Sequence, residues 1–338
     1  MEKNINSFIN LKGNDKLETF TNEDLLELIN YIYAYNPTYR EKLNLPPEAT
    51  FGTELEFVTE HPNVVQEFLD KNNLKSWTLT PEKAMSNGQE VVSGILKDEK
   101  QAWLELKKIC DYLKETTSCT IDCGSHVHVG AHLLGNNPQA LLNLMLLWSV
   151  YENIMFKFGY NKNMGPRPGI TDYATRCKNV FMRRFEEFRY APSSIEDILD
   201  GLQENKMVAL NFLNMSGENS PKKGNTIEFR QANGTLDADI WQNNINLYVK
   251  FMHLAATGNF DIDKVLERNS LNNNQIYSFA DYNKLFIDTA LELADLVFDN
   301  NKDKINFLKQ YLKLYNTGNE IGLYNYDKVT RKVYERGR

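Results

Sequence analysis

Three stretches far apart in the chain share one alternation. In FGTELEFVTE (51–60) Leu55 and Phe57 alternate with Glu54 and Glu56; in CGSHVHVG (123–130) Val127 and Val129 alternate with His126 and His128. In NTIEFRQANGTLD (225–237) Ile227 and Phe229 alternate with Glu228 and Arg230. Side chains two apart on a strand point to the same side of a sheet. Each stretch therefore reads as a strand with a complete apolar face, its other face carrying groups that are costly to bury unpaired. Such strands call for a sheet with a dry side packed on helices and a chemical side. Glu90 in GQEVVSG (88–94) adds a fourth carboxylate.

The remaining chain supplies the helices. Thr21 caps a helical stretch, TNEDLLELINYIYAYN, with Asp24 at the capping-box position. Helical patterns follow at 62–73 and at 97–115, where Trp103, Leu106, Ile109 and Leu113 share a face. A strongly apolar helix is expected at 138–158. SWTLT and MVALNFLNM read as further strands, residues 159–177 as a long Gly-, Pro- and Arg-rich loop, and 237 to about 316 as mostly helical. With 338 residues and no internal repeat, the fold expected is a single α+β unit. Its parts are a helical N-terminal segment (1–45), a core (46–258) and a helical C-terminal region (259–338) packed on the core.

A net charge of −7 argues against a general nucleic-acid surface, which carries a basic excess. The first twenty residues lack the apolar run of a secretory leader. The most apolar stretch, 140–158, is interrupted by Asn143, Glu152 and Asn153, so it reads as a buried helix rather than a membrane span. A cytoplasmic protein with no membrane partner and four reduced cysteines is the expectation.

Crowded carboxylates repel unless a cation lies between them. Oxygen donors in the majority, with an imidazole, suit Mg²⁺ or Mn²⁺ better than Zn²⁺. Two other readings stand beside this one. The polar faces are solvated outer faces of edge strands, or Cys119, Cys123, His126 and His128 form a zinc set, although their spacing is not that of a common zinc finger.

In this order, FGTELEF, GQEVVS, CGSHVHVG and NTIEFRQANGTLD resemble the amidoligase family, carboxylate–amine ligases related to glutamine synthetase and glutamate–cysteine ligase. The resemblance covers roughly residues 50 to 255. It implies a glutamine-synthetase-like antiparallel sheet whose concave polar face binds ATP and divalent ions, with helices on the other face. It also implies phosphorylation of a carboxylate by ATP and attack of an amine on the acyl phosphate. Carried over, Glu54, Glu56, Glu90, His126 or His128, and Glu228 look like metal ligands. Arg230 looks like the group that steadies the transferred phosphate, with Glu54 and Glu228 beside it in catalysis. Lys206 and Arg176 join Arg230 as candidate nucleotide contacts, Asn211 approaches nucleotide or substrate or holds its strand, and Arg167 contacts an anion or only solubilises its loop.

Departures from the family pattern lie at TLTPEKAMSNG, between Trp77 and Glu90, and at Gly94, where proline is usual. They bear on the substrate side. The partners implied are a small-molecule or peptide carboxylate and an amine. Two alternatives use the same residues: a metal-dependent hydrolase, and a non-catalytic binding protein that keeps the fold. The sequence leaves the oligomeric state open.

Overall fold

The computed structural model describes residues 16–160, 165–215, 224–271, 284–316 and 320–336. Six strands form one open sheet: β1 (Phe51–Val58), β2 (Trp77–Pro81), β3 (Gly88–Ser93), β4 (Gly124–Gly130), β5 (Leu210–Asn211) and β6 (Thr226–Asn233). Their order is β2-β3-β1-β4-β6-β5, and every neighbouring pair is antiparallel. The three strands with site-type residues, β1, β4 and β6, are thus adjacent at the centre.

Twelve α-helices are found among the described residues. In chain order they are α1 (Asn22–Ala34), α2 (Pro62–Lys71), α3 (Lys100–Thr116), α4 (Pro138–Phe158), α5 (Ile170–Tyr173), α6 (Lys178–Phe188), α7 (Ile195–Leu199), α8 (Ala238–Thr257), α9 (Ile262–Leu271), α10 (Ile287–Val297), α11 (Asn301–Leu312) and α12 (Glu320–Tyr334). At the start of α1 the Thr21–Asp24 capping box forms as the sequence predicts. Helix α4 is buried nearly all round, the condition for a helix without a polar stripe. No described helix is long and apolar enough to cross a membrane.

Helices α4 and α8 cover the dry side of the sheet. Phe229 of β6 stacks on Tyr248 of α8 at 4.4 Å between ring centres and meets Trp148 of α4 at 5.9 Å. The expected strand over 207–215 shrinks to Leu210–Asn211. Just before it, Met207 N–H donates to Asn205 Oδ1 and Ala209 N–H to Thr175 O, so loop contacts replace the ladder.

One irregularity decides what the centre of the sheet presents. Val127 pairs with Phe229, but Ser125 pairs with Ala232, so Arg230 and Gln231 together oppose His126. This is a β-bulge, one extra residue on one strand. Gln231 turns to the dry side, where its Nε2 donates to Tyr248 OH. Asn233 falls opposite Gly124, on the side of Glu228.

The N- and C-terminal helices are tied to the core by a buried ionic centre. Asp303 of α11 meets Arg40 at 2.7 Å and Lys250 of α8 at 2.6 Å. Helix α1 also packs against α11 and α12.

Candidate active site

The register turns the alternation of single strands into rows of facing side chains. Glu54 lies opposite His126, Glu56 opposite Glu90, and Glu228 opposite both His128 and Asn211. Glu54 is held by two imidazoles, with His126 Nδ1 2.9 Å from its Oε2 and His128 Nε2 2.9 Å from its Oε1. His126 also reaches the second carboxylate of β1, its Nε2 3.5 Å from Glu56 Oε1. Glu56 Oε2 accepts the N–H of Gly124 at 2.5 Å. Glu228 accepts from Arg230 on one oxygen and from Asn211 Nδ2, at 2.8 Å, on the other.

Burial opposes the charge of Glu54, but hydrogen bonds from His126 and His128 prevail and hold its carboxyl well below the usual range. Burial acts likewise on Glu228 and is overcome by His126 and Arg230, so this carboxyl is also held low. His128 is pushed up despite its burial, through Glu54 and Glu228. Glu90 goes the other way: burial, with the charges of Glu54, Glu82 and Glu56, raises it against a hydrogen bond from Thr80. The repulsion expected of crowded carboxylates is thus expressed at the β3 end, where the neutral hydroxyl of Thr80 only partly relieves it.

Two groups have donor atoms close enough to share a cation. Glu54, His126 and Glu228 form one and Glu56, Glu82 and Glu90 the other, the donor atoms of each group lying within 4.8 Å of one another. The chemistry fits a hard divalent cation: five carboxylates and one imidazole, with His126 Nε2 buried and without a hydrogen-bond partner. The cysteines belong to neither group among the described residues, and all four are free thiols.

Beside the first group opens a cleft of about 590 Å³ at the start of β1 and β6 and the ends of β3 and β4. Gly52, Val92, Gly94 and Ile95 line it together with Glu54, His128 and Thr226. His128 faces this cleft, while His126 lies deeper between the two acid groups.

The structure brings Glu54, Glu56, Glu90, His126, His128, Glu228 and Arg230 together. It does not bring Arg176 there: that guanidinium donates to Glu152 at 3.0 Å and to Asn153 at 2.9 Å, both on α4. The same buried Glu152 accepts the N–H groups of Cys177 and Lys178, fixing the start of α6. Lys206 is exposed on the segment before β5. Asn211 serves Glu228, and its Oδ1 in turn accepts from Gln203 Nε2 at 2.6 Å.

Three participants are absent from the residue-by-residue pattern of the sequence. Glu82 follows Thr78 and Thr80 on the polar parity of β2, a signal usable only once β2 is known to pair with β3. Gly124 is small because an added Cβ would stand 2.5 Å from Arg167 Nη1 and 2.8 Å from His126 Nε2. Asn233 reaches the polar side only through the bulge.

The sequence pattern of the family described as "Putative amidoligase enzyme" matches residues 70–252, more than half of the chain. The chain belongs to this amidoligase family. The match takes in Glu82, Glu90, His126, His128, Glu228 and Arg230, while Glu54 and Glu56 precede it and join them through the pairing of β1 with β3 and β4. Membership in the amidoligase family supports an enzyme with ligase activity. No curated protein matches the chain significantly.

Proposed function

We propose that the chain is an ATP-dependent carboxylate–amine ligase working through an acyl phosphate, on a small-molecule or peptide acid and an amine. The observation that carries this reading is the pair of acid groups side by side on one face of the sheet, with His126 between them and Arg230 at their edge. Glu54, His126 and Glu228 would hold one Mg²⁺ or Mn²⁺, and Glu56, Glu82 and Glu90 a second. Such ions neutralise the phosphate charge that otherwise repels an incoming carboxylate.

The protein's own part is positioning. The cleft suits a nucleotide: it has the volume of a small-molecule site, apolar walls at Val92 and Ile95, and His128 at its inner end. A carboxylate oxygen attacks the terminal phosphorus of ATP, the bond to the bridging oxygen breaks, and ADP leaves. The amine nitrogen then attacks the acyl carbon, the carbon–oxygen bond to phosphate breaks, and the nitrogen gives up a proton. Arg230, fixed by Glu228, offers a guanidinium to the phosphate throughout.

Thermal unfolding with Mg²⁺ or Mn²⁺, with and without a non-hydrolysable ATP analogue, tests this. A ligand that binds only the folded state stabilises it by about 2.7 kcal/mol at a hundredfold excess over its dissociation constant. A metal-dependent rise with the analogue, followed by phosphate release when acids and amines are screened with ATP, is the expected result. A response to metal without any response to nucleotide would instead favour hydrolysis at the same acid groups.

A further inference from the structure

Arg167 is only 3% exposed, although it lies on the connection after α4. Asn233 builds this position: its Oδ1 accepts the N–H of Arg167, its Nδ2 donates to Gly165 O, and its own N–H donates to Gly159 O. The side chain runs back over β4, where one Nη donates to Arg230 O at 3.4 Å and the other lies over Gly124. Burial lowers its proton affinity, and Arg230, a second guanidinium, adds to that effect. Glu56 is the acid that opposes it, and Glu56 already accepts from Gly124 N–H and faces His126.

Glu228 balances Arg230, and a second buried cation beside that pair, opposed only by the shared charge of Glu56, is costly unless a further anion joins it. Two buried guanidinium nitrogens here still lack hydrogen-bond partners: Arg167 Nε and Arg230 Nε. The missing side chain of Gly124 is what lets Arg167 Nη1 and the His126 ring come together at the edge of the acid groups.

We propose that Arg167 seats the reacting carboxylate of the acyl donor. The inference rests on the ligase reading and adds the residue that recognises this substrate. Its place follows from the layout of the sheet: the cleft lies at the Gly130 end of β4, Arg167 at the Gly124 end, and the group of Glu54, His126 and Glu228 in between. In-line transfer puts attacking and leaving oxygens on opposite sides of phosphorus, so a nucleotide in the cleft requires the acceptor carboxylate on the side of Arg167. A planar guanidinium fork matches a carboxylate with two parallel hydrogen bonds.

The test uses the full chain with Mg²⁺ and a β,γ-imido ATP analogue. Sodium acetate, glutarate and phosphate are titrated at constant ionic strength against chloride, and the unfolding midpoint is read. Acetate and glutarate are expected to raise the midpoint of the wild type above the chloride control. In Arg167→Met the apparent carboxylate affinity falls at least about tenfold, while the nucleotide-dependent rise is retained. Carboxylate binding unchanged in Arg167→Met, or a response to phosphate alone, would overturn the assignment. Should Arg167→Met fail to fold, Arg167→Lys carries the comparison, since it keeps the charge and loses the fork. Titrations repeated without nucleotide separate the two readings: loss of the nucleotide response alone sinks the ligase and leaves the carboxylate seat standing.

Discussion

Glu54 and His126 face each other directly across β1 and β4, with His126 Nδ1 2.9 Å from Glu54 Oε2. The same imidazole turns its other nitrogen to Glu56, 3.5 Å away. One histidine therefore touches both acid groups, which makes its partner on β1 the natural first residue to change.

Glu54→Gln keeps the shape of the side chain and removes its charge. Metal-dependent ATP turnover is expected to fall by about a hundredfold or more, since loss of an outer partner alone costs about 10–100-fold at metal sites. Phosphate release measures it, and circular dichroism checks that the fold is kept. Wild-type turnover in this variant would remove Glu54 from the site.

Glu82→Gln separates the two acid groups. Titration calorimetry with Mn²⁺ is expected to show one class of binding weakened by about tenfold or more, with the class at Glu54, His126 and Glu228 preserved. The variant also relieves a negative charge beside Glu90, so the Glu90 carboxyl moves down toward its ordinary value. Unchanged Mn²⁺ binding would mean that Glu82 is only a turn residue, accepting the N–H of Ala84.

Gly124→Ala places a methyl where Arg167 Nη1 and His126 Nε2 come within 2.5 and 2.8 Å. Overpacking of this kind costs about 1–3 kcal/mol. The midpoint in urea should fall by a corresponding amount, and turnover should fall further than stability if both displaced groups serve the proposed reaction. A fully active, fully stable Gly124→Ala would show that the two groups need not converge.

Asp303→Ala tests the centre that joins Arg40, Lys250 and α11. Its side chain is fully buried against two cations, and removing one partner of such a set costs about 3–5 kcal/mol. The pH dependence has a definite sign. Burial opposes the charge of Asp303, but Lys250 and Arg40 prevail and hold its folded value below the ordinary 3.8. Its stabilisation is therefore present above pH 3.8 and lost as pH falls through the lower folded value. Urea unfolding from pH 7 to pH 3 should show the gap between wild type and variant shrinking only at the acid end.

Much of the site is legible in the order of residues alone. Period-two alternation marks Glu54 with Glu56, His126 with His128, and Glu228 with Arg230, because strand geometry sorts neighbours onto opposite sides whatever the partner strand. The apolar run of 138–158 likewise announces the buried helix α4. Helices α6 and α12, at Lys178–Phe188 and Glu320–Tyr334, carry only a short i,i+4 repeat, Phe181 with Phe185 and Val329 with Val333. The first adjoins a Gly- and Pro-rich loop, and the second lies beyond the stretch with a clear helical pattern.

Which residues share a face depends on local backbone geometry, so the chain's own order of residues suffices to assign it. Which faces meet is settled by folding. Register set Glu54 against His126 and brought Glu82 to Glu56 and Glu90, and a single bulge turned Asn233 inward to pin Arg167. Register is fixed by packing and hydrogen bonding between segments distant in the chain, and a one-residue shift moves a side chain to the opposite face.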